Sequence, residues 1–397
     1  MVSSLNYLLI FNILTVKLCF KKIAAIIVLS LTLISQSIAC TAVTLVDIKQ
    51  NVVSGRTMEW GFDWDWKVIY IPKNTEQSLT APANLRLPAQ TYKSKYSILG
   101  TGIKNDHQTI LIDGQNDQGL SISANYLPSF TQYQEVSKDN DKYMSILEFT
   151  TFILSEFTNV KQAKQVLKEY KVWSDSTTMV DGISPELHFL ITDKQGNGLV
   201  VEYIDGEVKL YDLNSNVKVM TNAPTYDWHL INLRNYLNLS NKTIVKVKIS
   251  DFIDNKDKQK TIQDINGLGE GNGFLGLPGD YSPSSRFIKI AMLAYYANNE
   301  NPSQESLVTK VAHILHNVDI VKGTIVEKIG DKTLYDHTAY TVIKDLDKNL
   351  LYLSSYSNPT NSVVISLNKL DQNNAKAFDT IIKNIKTPST DITNNFL

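Results

Sequence analysis

Ser37-Ile38-Ala39-Cys40-Thr41-Ala42-Val43-Thr44-Leu45-Val46 joins the end of an apolar leader to the start of an alternating strand. The cysteine at this junction is the residue around which the chain is organised. Ser37-x-Ala39 has the small-residue form of a signal-peptidase site. Cleavage after Ala39 leaves a chain that begins with a thiol and a free amine on one residue. A thiol attacks as thiolate, and a free cysteine titrates near about 8.5, so it needs a base. An α-amine, titrating near about 7.7–8.0, is a tethered proton acceptor suited to neutral pH.

Upstream, Lys21-Lys22 reads as the charged start of a secretory signal and residues 23–35 as its apolar body, too short for a comfortable membrane span. A second apolar run at 7–16 is more than a signal requires. Lipoprotein signals also end at a cysteine, but Ser37 stands where they usually carry a branched apolar residue; lipidation would block the amine. The expectation is a leader over 1–39 that is removed, an exported chain, periplasmic or secreted, and a single domain over 40–397.

Downstream, 41–46 and 52–57 alternate β-branched and polar residues around a turn at 47–51, the pattern of a hairpin. A turn centred on Lys49 and Gln50 sets Glu59 opposite Cys40, with Arg56 a few residues away. Strict period two puts Arg56 and Glu59 on opposite faces, so both line one site only where the strand ends or bulges.

Further strands are predicted at 68–71, 97–100, 109–113 and 120–125, with Asp113-Gly114 as a turn. Helices follow at 144–157 and, capped by Asn159, at 160–170. A meander at 187–192, 198–203 and 207–211 precedes helices at 227–236, 283–297 and 304–316, the second with proline near its start. Strands at 338–344, 350–355 and 362–366 and a helix at 371–385 close the chain. Segregated antiparallel strands and helices mean α+β, and two such sheets face to face with helices outside make a four-layer αββα sandwich. Residues 240–276 are polar and glycine-rich and read as an excursion over a site or interface.

The chain has 397 residues, 43% hydrophobic and 20% charged, with net charge -1 and pI near 6.6. That is a globular composition without the basic footprint of a nucleic-acid binder. Losing the leader, with Lys17, Lys21 and Lys22 and no acid, takes the charge to -4. Partners are therefore small molecules rather than polyanions. Cys19 and Cys40 are the only cysteines. Removing the leader keeps one thiol, which excludes an intramolecular disulfide and a multi-cysteine metal site.

Beyond Cys40, each candidate has a functional and a bland reading. Arg56 favours the thiolate by its charge or is a surface arginine of the hairpin. Glu59 orients the amine or is an edge-strand charge. Asn125 and Asn222 are amide donors for an oxyanion or turn residues near a proline. Arg286, opening a helix, is a buried cation or a surface residue. Trp60, Phe62, Trp64 and Trp66 line an apolar acyl pocket or form an ordinary core cluster. The alternating Gly267, Gly269, Gly271 and Gly273 lack the strand and helix of a nucleotide loop. His313 and His316 lack a third ligand, and Ser54 and Ser285 lack a nucleophile-elbow context.

Together, Cys40-Thr41, Gly55-Arg56-Thr57-Met58-Glu59-Trp60, Met220-Thr221-Asn222-Ala223-Pro224-Thr225-Tyr226, Asn232-Leu233-Arg234-Asn235-Tyr236, Gly276-Leu277-Pro278-Gly279-Asp280 and Ser285-Arg286-Phe287 resemble the choloylglycine hydrolase family. That family contains conjugated bile acid hydrolases and penicillin V acylases. The resemblance implies an N-terminal nucleophile hydrolase that cleaves linear amides through a thioester, with Cys40 as nucleophile and its own amine as base. It further implies that Arg56 and Arg286 tune the site and that Asn222 and Asn125 hold the oxyanion, with Tyr126 beside the position where penicillin acylases commonly have tyrosine. No metal or cofactor is implied; the partner is a small-molecule amide, a conjugated bile salt ahead of penicillin V or an N-acyl homoserine lactone. Family members are often oligomers, tetramers or dimers, with 240–276 as the assembly region. Glu59 departs from the family's usual aspartate. The competing class is a lipid-anchored, non-catalytic binding protein.

Overall fold

The computed structural model describes residues 39–104, 108–247, 265–266, 269–299, 306–329, 332–372 and 374–385. The leader with Cys19, Gly267, most of the stretch after residue 247 in the predicted excursion, and the first residues of the helix expected at 304–316 lie outside the described residues.

Two antiparallel sheets form the inner layers. Their strands are β1 (Cys40–Val46), β2 (Val52–Glu59), β3 (Lys67–Ile71), β4 (Ile98–Lys104), β5 (Thr109–Asn116), β6 (Leu120–Tyr126), β7 (Leu187–Asp193), β8 (Gly198–Ile204), β9 (Glu207–Leu213), β10 (Val217–Met220), β11 (Thr338–Asp345), β12 (Leu350–Ser355), β13 (Asn358–Ser366) and β14 (Phe378–Ile381). One sheet runs β10-β1-β2-β11-β12-β13, the other β9-β8-β7-β6-β5-β4-β3-β14. Helix α1 (Phe149–Glu156) packs on β5 and β6, and α2 (Val160–Val166) on β7 and β8. On the other sheet, α4 (Pro283–Asn299) covers β1 and β10, and α5 (Leu307–His316) covers β1, β2 and β11. Helix α3 (Tyr226–Leu233) packs beside α4. Two antiparallel sheets between helical layers give the expected αββα order.

Both faces of the β1–β2 hairpin are buried. Period two divides them. Cys40, Ala42, Thr44 with their partners Met58, Arg56 and Ser54 look toward the other sheet, where Thr44 Oγ1 lies 3.3 Å from Thr192 Oγ1. Val43 and its partner Gly55 look toward α5. A Cβ on Gly55 would fall 2.7 Å from Val311 Cγ1 and 2.8 Å from Leu315 Cδ1, so the helix seats against bare backbone there.

Several expectations are corrected. Cys40 pairs with Met58, one residue short of Glu59, because the turn centres on Lys49 with Gln50 in the left-handed region at φ 65°. Asp113-Gly114 is not a turn. Strand β5 runs through it, and the buried Asp113 carboxylate takes a bond from Lys344 Nζ at 2.6 Å, so it is an inter-sheet ion pair. The helix expected over 144–157 starts at Phe149, after a strand at Tyr143–Ser145 and a turn boxed by Ser145 and Glu148. The next helix stops at Val166, although Asn159 caps it as expected, accepting from Gln162 N at 3.0 Å. The final helix over 371–385 does not form. Helix α6 (Leu367–Gln372) ends there, and Phe378–Ile381 adds to the sheet edge beside β3, where Asp379 pairs with Lys67 and Lys104, each at 2.8 Å.

Candidate active site

Cys40 opens β1 with its thiol between the sheets, 2% exposed. The strand geometry delivers Arg56 to the same side. Its Nη2 lies 3.2 Å from Cys40 Sγ and donates to Ala124 O at 2.8 Å, while Nε donates to Asn125 Oδ1 at 3.1 Å. Nη1 is buried and has no partner among the described residues. Burial pushes the thiol above its ordinary range, and the Arg56 charge works against that rise. The thiol is thus buried beside a fixed cation.

A second network holds the cysteine's backbone. Arg286, near the start of α4, donates from Nη1 to Cys40 O at 2.7 Å and Thr41 Oγ1 at 2.6 Å, and from Nη2 to Asn222 Oδ1 at 2.7 Å. Asn222 Oδ1 also accepts the Cys40 N–H at 2.6 Å. Asn222 therefore touches the nitrogen that becomes an amine when the bond to Ala39 is cut. Its Nδ2 donates one hydrogen to Tyr126 O at 2.8 Å and keeps the other. Asn125 has no such reserve: both Nδ2 hydrogens go to the carbonyls of Thr221, at 2.8 Å, and Met220, at 3.2 Å. In this arrangement Asn125 anchors Arg56 and offers no hydrogen to an oxyanion.

Glu59 ends β2, where β11 is irregular between Thr338 and Tyr340. Thr338 Oγ1 donates to its Oε1 at 3.1 Å, and Oε2 is buried with no hydrogen bond of good geometry among the described residues. Burial raises this carboxyl to about 7, with Arg286 pulling the other way. Thr338 was not legible as a site residue, since nothing in its neighbourhood marks it before β11 is paired with β2.

An apolar cavity lies against the thiol, with about 550 Å³ of empty space, part of which is open solvent. Trp60, Trp64, Trp66 and Tyr126 line it along with Cys40 and Arg56. Phe62 does not; it packs behind, with ring centroids 5.9 Å from Trp60 and 6.3 Å from Trp64. Val180, Ile183 and Pro185, from a loop with no signal in the sequence, also line it, as does Leu187 at the start of the predicted strand β7. Elsewhere, His316 is paired to Asp319 at 2.7 Å, and no cluster of three metal-binding side chains occurs among the described residues. No helix among them is long and apolar enough to cross a membrane.

A buried thiol at the start of an inner strand, in an αββα sandwich, is the layout of the N-terminal nucleophile hydrolases. Residues 40–381 match the model of the linear amide C–N hydrolases, choloylglycine hydrolase family. The chain belongs to that family and is a hydrolase acting on linear amides. It is 28% identical to a bile salt hydrolase/transferase of Clostridium perfringens over 85% of this chain and 96% of that one. A penicillin V acylase of Pectobacterium atrosepticum is 27% identical over 53% of this chain and 56% of the other. Among solved structures, a variant of conjugated bile acid hydrolase from Clostridium perfringens superposes with TM-score 0.74 at 26% identity, covering 89% of this chain and 99% of that one. Penicillin V acylase from Agrobacterium tumefaciens shares the fold, with TM-score 0.64 at 21% identity, covering 86% of this chain and 91% of the other.

Proposed function

We propose that cleavage after Ala39 frees the amine of Cys40 and that the mature chain hydrolyses the amide of glycine- or taurine-conjugated bile salts through a thioester on Cys40. The observation that carries this reading is the pair of contacts on one residue, Arg56 at 3.2 Å from Sγ and Asn222 at 2.6 Å from N. The free amine takes the thiol proton, and the thiolate attacks the amide carbon. The oxyanion is met by the second Asn222 Nδ2 hydrogen and by Arg56 Nη1. The ammonium, steadied by Glu59 Oε2, returns its proton to the leaving amine, and water then clears the thioester. In this scheme Asn125 serves by fixing Arg56, and Arg286 by fixing the strand end.

The apolar cavity suits the acyl side of the substrate, and the near-complete coverage of the bile salt hydrolase relative favours conjugated bile salts over penicillin V. Secretion by the leader, and a tetramer or dimer, belong to the same proposal. Hydrolysis of taurocholate, glycocholate, penicillin V and a long-chain N-acyl homoserine lactone, measured side by side with protein beginning at Cys40, tests it. Preference for the two bile salts is expected; turnover confined to either of the others would overturn the substrate assignment. Intact mass addresses the lipid-anchored alternative, since a diacylglyceryl adduct on Cys40 excludes the amine base.

A further inference from the structure

We propose that His188, oriented by Glu202, and His229 are positioning residues for this reaction, holding the two carbonyls of Thr221 and Asn222 and through them the carboxamide that carries the Cys40 nitrogen. The inference rests on the reading of Cys40 given above. All three side chains are buried, each 1% exposed or less, and none touches the cavity.

His188 Nε2 lies 3.0 Å from Thr221 O and His229 Nε2 lies 2.9 Å from Asn222 O. A carbonyl only accepts, so each of these nitrogens carries a hydrogen. On His188 the other nitrogen, Nδ1, faces Glu202 Oε1 at 3.1 Å. With both ring nitrogens bonded, the ring cannot turn without losing both bonds. Glu202 Oε1 is itself fixed by the N–H of Tyr226 at 2.9 Å. The His229 ring lies parallel to Phe287, with centroids 4.7 Å apart and planes at 10°, next to Arg286 in sequence.

These groups converge on two consecutive peptide units. Thr221 O also accepts from Asn125, and Thr221 Oγ1 donates to Pro283 O at 3.0 Å. The side chain that leaves this clamped segment toward Cys40 is Asn222. Merely filling the space would need apolar side chains, and burying a histidine and a carboxylate instead is costly unless the positions they fix matter.

The test uses the chain beginning at Cys40, with His188→Leu, His229→Leu and Glu202→Leu beside His188→Gln and His229→Gln, whose amide keeps an N–H for the carbonyl. Two readouts are taken on variants with the wild-type circular dichroism spectrum: kcat and KM on a linear amide, and the rate of Cys40 alkylation by iodoacetamide. The leucine variants are expected to lose about 100-fold in kcat with KM within about twofold, and the glutamine variants to recover about tenfold of that loss. Alkylation should follow the same order. Wild-type kcat in folded leucine variants would overturn the proposal, as would equal losses for leucine and glutamine. Should a leucine variant fail to fold, the glutamine variants decide by the same measures, a KM rise without a fall in kcat counting against the proposal. If the wild type hydrolyses no linear amide while alkylation still follows this order, the reading of the reaction falls and the positioning role stands.

Discussion

The two sides of strand β1 are built differently although they meet at one residue. Between the sheets, the thiol faces an open apolar cavity, one arginine with a nitrogen to spare, and an asparagine committed to two backbone carbonyls and to that arginine. Toward the helices, Arg286 spends its bonds on Cys40 O, Thr41 Oγ1, Asn222 Oδ1 and Tyr281 O, and Glu59 is buried beside Thr338. Reactivity is exposed on the first side, while geometry is fixed on the second. Substitutions on the inner side should therefore change chemistry with little effect on folding, and those on the outer side should change both.

The largest contrast is between Cys40→Ala and Arg286→Leu. Cys40→Ala should reduce hydrolysis about 1,000-fold or more and leave the melting temperature near wild type, since one small buried atom is lost. Arg286→Leu removes the donor to Cys40 O, Thr41 Oγ1 and Tyr281 O and one of the two donors to Asn222 Oδ1, and is expected to cost about 3 kcal/mol or more in urea unfolding, together with activity. Equal stability losses for the two would erase the distinction. Arg56→Lys is intermediate. It keeps the charge but not the fork that reaches Asn125 and Ala124, and about tenfold slower alkylation of Cys40 at neutral pH is expected.

Glu59 gives a pH test. Its carboxyl is raised from 4.5 to about 7 by burial. The folded chain thus keeps a proton that the unfolded chain releases, so this group's contribution to stability is full below the lower value and is lost as pH rises through about 7. In protein that retains Ala39, Glu59→Gln should gain about 3 kcal/mol over wild type at pH 8.5 and almost nothing at pH 4. In the mature chain the nearby ammonium should shrink that gain, while hydrolysis falls. The smallest effect is expected at Phe62, behind the cavity wall. Phe62→Leu should change KM less than about twofold and Trp64→Leu more, as steady-state kinetics on one amide would read.

Much of this was legible in the chain itself. The hairpin, the strand order after it and the positions of Cys40, Arg56, Asn222 and Arg286 follow from alternation and motif wording, because those signals are local. What was misread depends on long-range pairing. The one-residue register offset at Lys49 separated Glu59 from Cys40's direct partner, and Asp113 looked like a turn residue until Lys344, from β11, neutralised it. Phe378–Ile381 has helical apolar spacing but is claimed by the open edge of β3. The paired amide hydrogens of Asn125 and the histidine clamp behind Asn222 have no sequence signature, since isolated histidines on buried strands look alike whatever they hold.

The most direct measurement compares two forms of the protein that differ by one residue, one beginning at Cys40 and one beginning at Ala39. In the second the nitrogen of Cys40 is an amide and the free amine is moved one residue away, onto Ala39. With taurocholate as substrate, hydrolysis is expected from the first and a rate lower by about 100-fold or more from the second. Equal rates from the two forms would contradict the N-terminal nucleophile account.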